Sequence, residues 1–251
     1  MSFKRFFERI EDPDHSLAVV NRSAPKPLQN MLEDLFEGQP VDVGELNLPR
    51  SGKDVVLLLE DGEVVASSTM QELQEAILLV NSDLYITGTR GIDELEVPDV
   101  IGNLDEIPFR LRGYPESNKE KLLLITISRY IERIAWDEGD GTLRASFQHL
   151  SRINDERGTR TVYEILARTD VDVHVYGIPD WAPPVGFDVT SHGAYTEELR
   201  DTWFVVYTPP EEGDEYAALV AIETSPREWE GFWTYSPELV KDINRYIERN
   251  M

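Results

Sequence analysis

No cysteine occurs anywhere in the 251 residues. That excludes disulfides, thiolate metal sites, a cysteine nucleophile and any thioether-linked chromophore. Lysine is nearly as scarce, with six against 18 arginines. Only Lys4, Lys26, Lys53, Lys119, Lys121 and Lys241 can form a Schiff base, and none falls within a strongly apolar strand that would desolvate it. Apolar runs of about 18 residues, enough to cross a bilayer, are missing. The start, Met1-Ser2-Phe3-Lys4-Arg5-Phe6-Phe7-Glu8-Arg9, lacks the apolar core of a signal peptide. A cytoplasmic protein without membrane insertion is expected.

Basic charge of either kind is in short supply. Asp and Glu number 48 against 24 Lys and Arg, for a formal net charge of −24. Residues 1–115 hold 22 acidic and 10 basic side chains, and residues 116–251 hold 26 and 14, so the acidity is an even coat and not a tail. Such a coat suits a salt-rich cytoplasm, where the Debye length falls to roughly 3 Å at 1 M and carboxylate repulsion fades. It argues against nucleic acid and anionic lipid as partners, since both favour basic patches.

Local signals place helices and strands in alternation. Phe3, Phe6, Phe7 and Ile10 predict a short opening helix, and Leu28, Met31, Leu32, Leu35 and Phe36 a second. Thr69 and Glu72 read as a capping box ahead of Met70, Leu73, Ala76, Ile77 and Val80. Ser117 and Glu120 repeat that pattern before the longest helix, running to about Trp136. Thr161 with Glu164 caps a helix ending near Arg168, and Ser236-Pro237 opens the last. Strands are predicted at 17–20, 55–59, 64–67, 143–150, 171–178, 203–208, 217–223 and 232–235. Asp61-Gly62 marks a hairpin between the second and third. The runs 203–207 and 217–222 are apolar on both faces, which predicts cover on both sides of that sheet.

The fold class that follows is α+β: a mixed, largely antiparallel sheet system flanked by helices in a compact two-lobed unit. The glycine- and proline-bearing stretch 91–115 is the linker candidate, dividing an N-terminal α/β lobe (1–114) from a C-terminal α+β lobe (115–251). Phe7-Glu8 precedes Leu17-x-Val19 at the spacing by which Tyr163-Glu164 precedes Val173-x-Val175, a pattern an internal duplication would leave.

Catalytic and metal signatures are sparse. His15, His149, His174 and His192 show no zincin spacing and no ligand cluster. There is no nucleophile elbow, Walker loop or dinucleotide fingerprint. Asp137-Glu138-Gly139-Asp140-Gly141 lacks the odd-position ligands of a calcium loop and reads as a helix-to-strand turn. Glu212-Gly213-Asp214-Glu215-Tyr216 is similar to the cyclase signature Gly-Gly-Asp-Glu-Phe, but Glu212 puts a carboxylate where a phosphate needs room, so a solvated hairpin tip is expected.

Aromatic side chains are the remaining signal. Four of the five tryptophans lie in the last 71 residues. Two readings stand side by side: these rings fill a core, or they wall a ligand pocket. For the pocket, Asp172, His174 and Tyr176 share the polar face of one strand. Trp181 sits on the loop after it, and Trp203, Tyr207, Trp229 and Trp233 supply apolar walls.

Five stretches carry a resemblance: Asp155-Glu156-Arg157-Gly158-Thr159 with Val162-Tyr163, then 171–181 ending Gly177-Ile178-Pro179-Asp180-Trp181, then 203–206, 217–224 and the closing Gly231–Val240. They resemble the haloarchaeal, standalone branch of the DICT sensory-domain family. The resemblance implies a cytoplasmic, non-catalytic signal-transduction protein of a halophilic archaeon, in a family found beside diguanylate cyclases and two-component proteins and linked to light response. It implies a protein partner and no catalytic residues to carry over. A small ligand and self-association both stay open, and no cofactor is identified. The alternatives are a scaffolding protein without ligand and, more remotely, an enzyme acting on a nucleotide.

Overall fold

The computed structural model describes residues 3–10, 14–24, 30, 32–33, 36, 39–49, 51–76, 92, 97–112, 118–155 and 157–251. Two sheets carry the architecture. The first contains β1 (His15–Val20), β2 (Asp42–Leu46), β3 (Val55–Glu60) and β4 (Glu63–Thr69) in the order β2-β1-β3-β4. β1 and β2 run parallel, with Leu17 opposite Val43, and the other pairs are antiparallel. Asp61 and Gly62 both adopt positive φ, 50° and 83°, so the turn twists with its strands as the Asp-Gly pair predicts.

The second sheet contains β5 (Ile107–Arg112), β6 (Thr142–His149), β7 (Asp172–Ile178), β8 (Thr190–Gly193), β9 (Thr202–Thr208), β10 (Ala217–Ser225) and β11 (Glu228–Thr234). Its order is β5-β11-β10-β9-β6-β7-β8, antiparallel from β5 through β6 and parallel across β6, β7 and β8. The described helices are α1 (Lys4–Phe7), α2 (Asp99–Gly102), α3 (Asn118–Glu138), α4 (Arg152–Asp155), α5 (Arg157–Leu166), α6 (Glu197–Arg200) and α7 (Pro237–Asn250), with further helical turns at 70–76.

Burial explains why the central strands read as unbroken apolar runs. On one face of the second sheet, Leu143, Val173, Val205, Leu219 and Trp233 pack with Leu124, Ile127 and Ile131 of α3. The same cluster continues into Leu17, Val56 and Leu58 of the first sheet and Leu73 of the helical turns after it. On the other face, Phe204, Val206, Val220 and Phe232 meet Phe3, just before α1, Phe6 of α1, and Val240, Ile243 and Tyr246 of α7. Apolar residues on both sides of β9 and β10 therefore have cover on both sides.

Within the stretch 91–115, β5 pairs with β11, Trp233 Nε1–H donates to the Leu104 carbonyl, and the Tyr235 amide donates to Asp105 Oδ1 at 2.7 Å. Two expectations change. The helix expected to start at Thr161 begins at Arg157, so Thr161 and Glu164 sit inside it despite their capping-box spacing. Ser236 precedes α7 without a side-chain cap, leaving Pro237 to set its first turn. The Thr69–Glu72 box is made reciprocally, by Thr69 N–H to Glu72 Oε2 at 2.6 Å and Glu72 N–H to Thr69 Oγ1 at 3.2 Å.

The 137–141 turn links α3 to β6 as expected. Gly141 has φ +93°, and a Cβ there would come 2.5 Å from the Thr208 carbonyl oxygen. The repeat pattern is matched only in part. β1 and β7 each pair in parallel with the next strand, but the hairpin after β1 joins β1 itself, whereas β9 joins β6 and not β7. Of the second predicted helix, Leu28, Met31 and Leu35 lie outside the described residues, as do Ile77, Val80 and Ser117.

Candidate functional site

Registry decides how the candidate residues group. Arg144 of β6 stands opposite His174 of β7 and Val206 of β9, while Leu143 stands opposite Val173 and Tyr207. Side chains at paired positions share a face. Asp172, His174 and Tyr176 therefore point to the α7 side. Trp203, Tyr207, Trp229 and Trp233 point to the α3 side, so the sheet separates the two halves of the set. Tyr207, Trp229 and Trp233 are buried in the main core, with Trp203 and Trp181 packed at its margin.

Trp181 lies on the loop after β7, its ring edge-on to Phe187 at 6.1 Å. Because it is only partly buried, Trp181→Ala is expected to cost well under the roughly 3–5 kcal/mol of a truncated core tryptophan. Chemical denaturation checks this, and a loss in that full range would make Trp181 a core residue.

The polar half gathers a chain of partners that runs across three strands to α7. Asp172 Oδ2 lies 2.9 Å from His174 Nε2, and His174 Nδ1 lies 2.8 Å from His192 Nε2 on β8. A carboxylate only accepts, so His174 donates from Nε2. In the neutral pair Nδ1 then accepts from His192. A proton added to His174 reverses the inter-ring bond. The His192 ring stacks on Tyr176, centroids 4.4 Å apart with planes 10° from parallel.

Tyr176 Oη accepts from Arg144 Nη1 at 2.7 Å. The same guanidinium donates from Nε to Asn244 Oδ1 at 2.7 Å and from Nη2 to Glu248 Oε1 at 2.9 Å, both on α7. All three faces of a buried cation are thus engaged, as a low-dielectric site requires. Arg144 could have been noticed from Arg144, Ser146 and Gln148 alternating with Leu143, Ala145 and Phe147. His192 sits on a four-residue strand without an apolar side chain, and nothing in its sequence marks it.

Electrostatics tune the chain. The Tyr176 hydroxyl is raised above its ordinary value by burial, against the pull of Arg144. The His192 imidazole is lowered, first by burial, then by His174 and Arg144, with Asp172 opposing. Unfolded imidazole titrates near 6.5. Below that pH the unfolded chain binds the proton the folded chain resists, so stability should fall as pH drops from about 6.5 and level off below the folded value. His192→Phe keeps a ring on Tyr176 and removes the titration, so its denaturation midpoint should fall less over that range. Equal slopes in both proteins would contradict the assignment.

A second cluster, at the end of β6, uses residue types of a hydrolytic triad in another order. Asp180 accepts from the Ser151 amide at 2.9 Å and the Ser151 hydroxyl at 3.0 Å, with His149 Nδ1 at 2.9 Å. Burial pushes its carboxyl up, but these hydrogen bonds outweigh it and hold it below the usual range. The serine proton is directed at the carboxylate and not at the imidazole, so the aspartate is a hub tying β7 to the start of α4. Among the described residues, no three His, Asp or Glu side chains are placed to hold a metal, and no helix is long and apolar enough to cross a membrane.

Residues 102–224 match the DICT family model, "Sensory domain in DIguanylate Cyclases and Two-component system". The matched span holds Arg144, Asp172, His174, Tyr176 and His192. It ends before the Gly231–Val240 run and before α7, and it does not include α1 or the first sheet. No curated protein matches the chain. Among solved structures, the crystal structure of polyphosphate kinase from Porphyromonas gingivalis is similar at 9% identity and a TM-score of 0.35, covering 97% of this chain and 47% of that one. The chain thus spans about half of that protein, and a likeness of this size carries no argument about fold or activity.

Proposed function

We propose that this chain is a non-catalytic sensory protein of a halophilic cytoplasm, one that receives its signal at the His174–His192 pair and relays it through α7 to a protein partner. The observation that supports this is positional. The span similar to a sensory domain encloses a continuous polar chain, and that chain leaves the span at one point, where Arg144 grips Asn244 and Glu248. A positive charge or a ligand at the histidines would disturb the His192–Tyr176 stack and repel the Arg144 guanidinium, and α7, which holds that guanidinium, is the element that would move. The input is a small ligand or a light-linked chromophore, held without a covalent bond.

Native mass spectrometry of the protein from its own host, kept in high salt, tests this. A bound small molecule lost on His174→Ala would support the sensor. Protein free of any small molecule, with a strong co-purifying partner retained by the His174→Ala variant, would favour a scaffold.

A further inference from the structure

We propose that a groove between α1 and α7 is a binding site for a small anion bearing two or three phosphate groups. It lies outside the residues that match the sensory domain and does not depend on the sensory reading. Its volume is about 600 Å³, and it is lined by Arg5, Phe6 and Arg9 from the N-terminal segment and by Asp242, Arg245, Tyr246, Arg249 and Asn250 from α7. A space of this size suits a small molecule.

The charge of the lining is what sets it apart. Four guanidinium groups line the groove beside one lining carboxylate, Asp242, with Glu238 reaching Arg9 from its rim, in a chain whose acidic residues outnumber its basic ones by two to one. On α7 the lining positions 242, 245, 246, 249 and 250 follow helical spacing, so one stripe faces the groove. Phe6 and Tyr246 are buried and form its floor, and the Arg5 guanidinium carbon sits 4.6 Å and 4.9 Å from their ring centroids. Stacking fixes that cation in place before any ligand arrives.

Arg9 donates to Asp242 at 2.6 Å and to Glu238 at 3.2 Å, and Arg245 donates to Asp242 at 2.8 Å. Asp242 is thus an internal counter-ion holding two arginines, while Arg249 stands exposed on the next turn. Guanidinium forks on two separate elements match a compact anion with many peripheral oxygens, which a di- or triphosphate supplies and a single carboxylate does not. The aromatic floor is covered by Arg5, so no face is left on which a nucleobase could stack, and the recognised part is the phosphate chain itself. α7 also carries Asn244 and Glu248 toward Arg144, which places this groove and the histidine site on opposite flanks of one helix.

Isothermal titration calorimetry with inorganic pyrophosphate and triphosphate, at about 1 M KCl, where the Debye length is roughly 3 Å, tests the proposal. Saturable binding is expected, weakened about tenfold by Arg245→Ala or by Arg249→Ala. Both side chains are exposed, so both variants should fold, with unchanged circular dichroism. Arg110→Ala, which removes an exposed arginine on β5, should leave affinity unchanged. Absence of pyrophosphate and triphosphate binding, affinity unchanged from the wild type in the Arg245→Ala and Arg249→Ala variants, or tighter binding of citrate than of triphosphate would each overturn it.

Discussion

Replacing Ile131 by aspartate is expected to remove most of the stability of this protein. Ile131 is fully buried on α3, with Ile127 one turn before it and Leu124 another turn back, all facing the sheet. A carboxylate there would have to ionise without a partner, take up a proton, or force the helix off the sheet. Each route costs several kcal/mol against a total of roughly 5–15 for a domain. The next residue supplies the contrast. Glu132 is also buried, yet it is tolerated because Arg129 donates to it at 2.6 Å and to Thr159 of α5 at 3.0 Å. Pairing and not burial alone decides the outcome. Ile131→Val should cost only about 0.5–1.5 kcal/mol. Urea denaturation in high salt checks both variants, and a soluble, fully stable Ile131→Asp protein would mean that α3 does not bury this face.

The second large effect concerns salt. Raising KCl from about 0.1 M to the molar range should raise the melting temperature steeply, because the Debye length falls from roughly 10 Å to 3 Å and 48 carboxylates stop repelling one another. Screening also weakens ion pairs, but most of those present are exposed. Arg22–Glu45, Arg160–Glu164 and Arg245–Asp242 are typical, and such pairs are worth about 0–1 kcal/mol each. Relief of a net −24 charge therefore wins over their loss. An unchanged midpoint across the range would remove the inference of salt adaptation.

What could be read from the sequence was what local chemistry determines. The Thr69–Glu72 box, the Asp61-Gly62 turn and the doubly apolar strands β9 and β10 each carry their signal within a few residues. β2, β5 and β8 do not. Each is an edge strand made by its neighbour, and β8, Thr190-Ser191-His192-Gly193, has no alternation to detect. Thr161 shows the opposite failure, where a cap spacing occurs by coincidence inside a helix that packing extends back to Arg157.

The site divides along the same line. Alternation grouped Asp172 with His174 and Tyr176, and Trp203 with Tyr207. Only strand order could reveal that these groups lie on opposite sides of one sheet, and that Arg144 and His192, distant in sequence, complete the first.

Hydrogen exchange along α7 tests the central claim, that the histidine pair and this helix are coupled through Tyr176 and Arg144. Exchange is followed in high salt as pH is stepped from above to below about 6.5, after correction for intrinsic rates. α7 amides around Asn244 and Glu248 should lose protection in the wild type and keep it in His192→Phe, while β9 and β10 stay protected in both. Protection of α7 that is indifferent to the pH step, or that changes identically in both proteins, would contradict the account.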